Sequence, residues 1–141
     1  MSAAKKVFSY VVRTDRGDPR LLVFDSHDEP GLEVPKGAVA AEEGFVEAAV
    51  REIREESGIF GVRLVRRLGV TTYLDEEQVF LLLVAPENLP ETFEHAVTGE
   101  GIDRGFVYRF RWAPVDSTLR ETLVQGCGAF VDELIEAALD T

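Results

Sequence analysis

The chain has 141 residues, 45% hydrophobic and 29% charged, a balance that suits one globular domain with a packed core and excludes a disordered chain. Its formal net charge of −11 lacks the lysine and arginine excess by which proteins hold a nucleic-acid polymer or an anionic membrane. No apolar run nears the roughly 20 residues that cross a bilayer, and the sole cysteine, Cys127, excludes an internal disulfide and fits a reducing cytoplasm.

MSAAKKVFSYVVRTDRG has two lysines but only an interrupted apolar run, so no signal peptide is read there. Within it KKVFSYVVRT, like RLLVFDS after it, is rich in β-branched and aromatic residues and predicts a strand. The turn residues of DRGDP join the two as a hairpin. SHDEPGLEVPKG, with two prolines and two glycines, predicts a loop, and His27 in it carries no assigned role. Residues 44–57 predict a helix ended by Gly58 as a left-handed C-cap.

VRLVRRLGV alternates Val62, Leu64 and Leu68 with arginines, which predicts a strand with one wet face. QVFLLLVAP is a continuous apolar run and predicts a buried central strand. LPETFEHAVTGEGIDRG predicts a long polar loop. FVYRFRWAPV puts Phe106, Tyr108, Phe110 and Trp112 on one face and Arg109 and Arg111 on the other. From DSTLRETL onward Leu119, Leu123, Phe130, Leu134 and Ala138 recur at helical spacing, with Asp116 or Ser117 as N-cap. Gly126 and Gly128 weaken that helix and divide it, and Cys127 packs there. The order predicts an α/β fold over residues 1–141, a mixed sheet flanked by helices.

At roughly 100° per residue, the first helix turns Val46, Ala49, Val50 and Ile53 toward the core and Glu47, Arg51 and Arg54 away from it. Glu52, Glu55 and Glu56 fill the arc beside the apolar face, neighbours at i, i+3 and i+4. Surface ion pairs with the arginines are the plainer account of such a helix. Three adjacent carboxylates unbroken by a base instead suit a hard divalent cation, which prefers oxygen ligands.

GAVAAEEGFVEAAVREIREESGI, residues 37–59, resembles the Nudix box through Gly37, Glu43, Arg51, Glu52, Ile53, Glu55, Glu56, Gly58 and Ile59. The resemblance implies an α/β/α sandwich and a hydrolase that directs water at a phosphorus of a nucleoside diphosphate linked to another group. It implies Mg²⁺ or Mn²⁺ held by Glu52, Glu55 and Glu56, with Glu43 and the backbone carbonyl of Lys36 as further contacts. Glu52 would also serve as the base in some members, and Arg51 would pair with an acid of the box.

Pro35-Lys36-Gly37 is similar to the dinucleoside polyphosphate hydrolases and to the diphosphoinositol polyphosphate hydrolases, although Ala38 replaces the histidine usual there. The few basic residues disfavour the inositol branch. Outside the box, Glu100 is the candidate extra catalytic acid, with Asp103 its rival in the same loop. Lys36, Arg66, Tyr73 and His95 are the candidate substrate contacts. Phe80 and Phe93 could also stack on a base, or simply fill the core. The favoured substrate is a dinucleoside polyphosphate, and the nearest enzymatic alternative is an oxidised or non-standard nucleoside triphosphate. ADP-ribose and nucleotide sugars rank lower, because such members often carry an additional N-terminal dimerisation region. A non-catalytic nucleotide sensor and a plain interaction domain are the alternatives of other classes. A small nucleotide is the expected partner of a cytoplasmic monomer or homodimer.

Overall fold

The first two apolar runs form strands β1 (Lys5–Arg13) and β2 (Arg20–Asp25), an antiparallel pair as predicted, with Val12 opposite Leu21. They belong to a computed structural model that describes residues 4–140. Residues 1–3, part of the stretch read for a signal peptide, and residue 141 lie outside the described residues.

The remaining elements are β3 (Leu32–Glu33), β4 (Lys36–Ala38), α1 (Phe45–Ser57), β5 (Arg63–Tyr73), β6 (Glu76–Val84), β7 (Thr92–Ala96), β8 (Val107–Pro114), α2 (Leu119–Thr122) and α3 (Val131–Ala138). The strand order is β5-β6-β1-β2-β8-β7, with β3 on β2 and β4 on β1. The β1–β6 pair is parallel and the other pairs are antiparallel, so the sheet is mixed. Because β6 is bonded along both edges, its continuous apolar run is buried, as QVFLLLVAP predicted.

Alternation along β1 sorts the core into two halves. Phe8, Tyr10 and Val12 join Phe80 and Leu82 beneath Leu119, Leu123, Val131 and Leu134 of the C-terminal helices. Val7 and Val11 join Leu22, Phe24, Tyr108 and Phe110 on the other face, beneath Ala48, Ala49 and Ile53 of α1. Helices thus cover both faces, the expected α/β/α layering. The division near Gly126 and Gly128 also appears, with Cys127 buried in the link between α2 and α3.

Five local expectations need correction. SHDEPGLEVPKG contains β3 and the first two residues of β4 rather than a bare loop, because partners on β2 and β1 supply ladder bonds to segments too short to show a period. LPETFEHAVTGEGIDRG contains β7, which pairs with β8 and borders solvent, so its polar residues occupy an edge. Helix α1 is rolled from its expected orientation: Val46 and Val50 are each 40% exposed, while Ala48 and Glu56 are buried. The small Ala48 side chain admits close approach to the sheet, and that approach carries the glutamate arc inward. At α2 the N-cap position is Thr118, and its N–H donates to the carboxylate of Asp116 just before it. Phe106 lies just outside β8 and is 48% exposed, so only Tyr108, Phe110 and Trp112 of that row are buried.

Candidate active site

Helix α1 ends at Gly58, whose φ of 76° matches the predicted left-handed cap and whose N–H reaches the Arg54 carbonyl at 2.9 Å. Strand β4 runs alongside the helix. A Cβ on Gly37 would lie 2.1 Å from the Glu52 Cδ, so only glycine lets that carboxylate rest against the β4 backbone.

Arg51, expected to point away from the core, reaches back into the acids. Its Nε and Nη2 donate to the two Glu43 carboxylate oxygens at 2.8 and 2.9 Å. Its Nη1 donates to Glu52 at 2.7 Å and to Glu55 at 3.1 Å, and Nη2 also meets the Ala38 carbonyl at 2.9 Å. One guanidinium therefore holds three acids, and its hydrogen bonds draw the Glu43 carboxyl down to about 2. Glu43 in turn accepts the Ala40 N–H.

Glu56 is 4% exposed, and its Oε1 accepts the Lys36 backbone N–H at 3.1 Å. Burial first, and then the charge of Glu52, push its pKa well above the ordinary carboxylate range. Burial raises Glu52 as well. Of the loop acids, Asp103 is the one brought to this cluster: its Oδ2 accepts the Tyr108 hydroxyl at 3.2 Å, and its charge acts on both Glu52 and Glu56. Burial and the charges of Asp103 and Glu56 raise the Tyr108 phenol, which stays protonated and keeps donating. Glu100 is exposed in the same loop, whose Thr98 N–H is tied to the Glu55 carbonyl at 2.9 Å.

The Lys36 ammonium lies 2.8 Å from Glu33 and 5.8 Å from the centre of the Phe8 ring. It opens into a cavity of about 710 Å³ between the sheet and the α2–α3 link, lined also by Lys6, Tyr73, Glu76, Gln78 and Gln125. Tyr73 is 64% exposed at this cavity. The other candidates fall elsewhere. Arg66 is exposed on the outer strand β5 and outside the cavity lining. His95 packs against the helix cap, where a Cβ on Gly58 would lie 2.8 Å from its Nδ1, and its buried Nε2 has no partner among the described residues. Phe80 is fully buried and stacked on Phe8, and Phe93 stacks on Phe110, so both rings are spent on packing.

Glu52, Glu55, Glu56 and the Lys36 carbonyl offer hard oxygen donors of the kind that suit Mg²⁺ or Mn²⁺. A buried Glu56 beside Glu52 fits a cation, which would offset the burial and neighbouring charge that raise both carboxyls. Among the described residues the acids form no closed cage of three or more side chains, and the Arg51 guanidinium lies between Glu43, Glu52 and Glu55.

A profile of the NUDIX domain matches residues 4–134. Among solved structures the chain is similar to the Ap4A hydrolase of C. elegans, at 16% identity and a TM-score of 0.67 over 99% of each chain. A Nudix hydrolase of M. smegmatis, RenU, aligns at 18% identity and a TM-score of 0.69, over 99% of this chain and 89% of that one. An ADP-ribose pyrophosphatase of Streptococcus suis aligns at 15% identity and a TM-score of 0.66, over 97% and 92%. No curated protein matches significantly. At these identities the likeness speaks for the fold.

Proposed function

The chain belongs to the Nudix hydrolase family, and from that premise we propose that it cleaves the phosphoric anhydride of a dinucleoside polyphosphate with Mg²⁺ or Mn²⁺. The observation that carries this reading is a shared residue. Lys36 bonds the most buried acid through its backbone and also lines the 710 Å³ cavity, so acids and cavity adjoin.

Glu52, Glu55 and Glu56 would hold the ion, with the Lys36 carbonyl and Glu43 in support. When bound, such an ion offsets charge on bridging phosphates and eases deprotonation of water. Arg51 fixes Glu52 and Glu55 in orientation. Lys36 supplies positive charge to a phosphate, and Tyr73 offers a face to a base at the cavity. Asp103, held by Tyr108, is the acid we favour to take the proton of the attacking water, with Glu52 and Glu100 as the other acceptors. The chain acts as a cytoplasmic monomer or homodimer in this reading; among the described residues no helix is long and apolar enough to cross a membrane.

A panel of nucleotides assayed with Mg²⁺, with products weighed by mass spectrometry, tests the substrate. Dinucleoside tetraphosphates should turn over fastest. Faster turnover of oxidised nucleoside triphosphates would move the assignment to that class, and no turnover of any nucleotide would leave a sensor. Gly37→Ala should lower kcat/KM about 10- to 100-fold, the usual cost of disturbing the support of a metal ligand, because the new methyl displaces the Glu52 carboxylate. An unchanged circular dichroism spectrum would confine that loss to the site.

A further inference from the structure

The aromatic row of β8 does not end where its burial ends. Tyr108 stacks on Phe24 with ring centres 4.2 Å apart and is buried, whereas Phe106, two residues earlier on the same face, is 48% exposed. The exposed His27, from the loop between β2 and β3, closes against both rings, 5.1 Å from Phe106 and 5.4 Å from Tyr108. Backbone bonds hold Phe106 in place: its N–H donates to the Asp103 carbonyl at 3.0 Å, and its carbonyl accepts the Val97 N–H at 2.8 Å. A half-exposed, anchored aromatic pair thus stands near the acids, because the Tyr108 hydroxyl binds Asp103. The cavity reached through Lys36 lies on the opposite face of the sheet, with Phe8 and the α2–α3 link.

Building on the dinucleoside reading, we propose that His27 and Phe106 form a stacking platform for the second base of the substrate, while the cavity beside Lys36 takes the first. The Tyr108–Asp103 bond ties the platform to the acids and the Lys36–Glu56 bond ties the cavity to them at the sheet's edge, so a polyphosphate joining the two bases would run past the acids. Stacking requires only a π-face, so the platform accepts any base, and Arg104, exposed in the adjoining turn, adds positive charge on that side. A mononucleotide has nothing to place there. The platform therefore sets preference between substrate classes and takes no part in bond breaking.

Phe106→Ala and His27→Ala alter exposed rings and should fold normally. KM measured with Mg²⁺ for a dinucleoside tetraphosphate, relative to KM for a nucleoside triphosphate, should rise about tenfold or more in Phe106→Ala, the size of one lost stacking contact. Phe106→Trp should keep the wild-type ratio. Calorimetry without metal, using a dinucleoside tetraphosphate with methylene bridges, should show Kd weakened to a similar degree. A ratio and a Kd within twofold of wild type in both alanine variants, or an equal rise in KM on both substrates, would overturn the platform alone. If the wild type neither binds nor cleaves any dinucleoside polyphosphate, the underlying reading fails and the platform falls with it.

Discussion

Glu56→Gln is expected to lower turnover by about a thousandfold while raising the melting temperature. In the proposed metal site the activity loss follows from removing a charged oxygen donor to the ion, an effect worth about 4 kcal/mol, with each 1.4 kcal/mol a factor of ten. The stability gain has a separate cause. Glu56 is 4% exposed, and among the described residues its carboxylate has a single backbone N–H, that of Lys36, as hydrogen-bond donor. Glutamine keeps the oxygen that accepts this bond and removes the buried charge next to Glu52. Without metal the variant should gain about 1 kcal/mol, or about 3 °C in Tm. Steady-state rates and thermal melts on the same preparation check both halves. Turnover within tenfold of wild type would remove Glu56 from the metal site, and a fall in Tm would show that its charge is compensated in the fold.

The second large effect lies at the end of β1, at an arginine whose own charge gives no reason to expect burial. Arg13 is 1% exposed, yet its guanidinium is fully engaged. It meets Asp15 at 2.9 Å, donates to the Leu89 and Pro90 carbonyls, and stacks 4.7 Å from the centre of the Trp112 ring. Arg13→Ala should cost about 3–5 kcal/mol of folding free energy, because it removes the guanidinium that bonds the Leu89 carbonyl and pairs with Asp15 and leaves a void beside the indole. Urea unfolding at pH 7 measures this, and a loss under 1 kcal/mol would contradict it.

Asp15 gives the same cluster a pH signature. The Arg13 hydrogen bond first, and then the Asn88 N–H, hold its carboxyl well below the ordinary value of 3.8. A carboxyl whose pKa is depressed on folding contributes stability above its unfolded pKa and loses it as pH falls below that value. Wild-type stability should therefore decline below about pH 4, toward the folded pKa, and Asp15→Asn should show a shallower decline. Identical slopes for the two proteins between pH 5 and pH 2.5 would place the acid sensitivity elsewhere.

Local spacing alone made the acid helix, its Gly58 cap, the β1–β2 hairpin and the buried run of β6 legible in the sequence. Each depends on neighbours along the chain: i, i+3 and i+4 on a helix, alternation on a strand, turn residues between strands. The matched positions from Gly37 to Ile59 are of this kind, which is why the family could be read from one unbroken segment.

What the tertiary structure decided is everything that depends on distant partners. Strands β3, β4 and β7 exist because other strands bond them, and their own sequences carry too little pattern to announce it. The roll of α1 that buries Glu56 and leaves Val50 in solvent was set by the sheet meeting Ala48, a contact that helical periodicity does not contain. The charge of Asp103 acts on Glu52 and Glu56 from a position that Tyr108 of β8 holds, and Arg13 is buried because the chain near residue 89 returns to cover it.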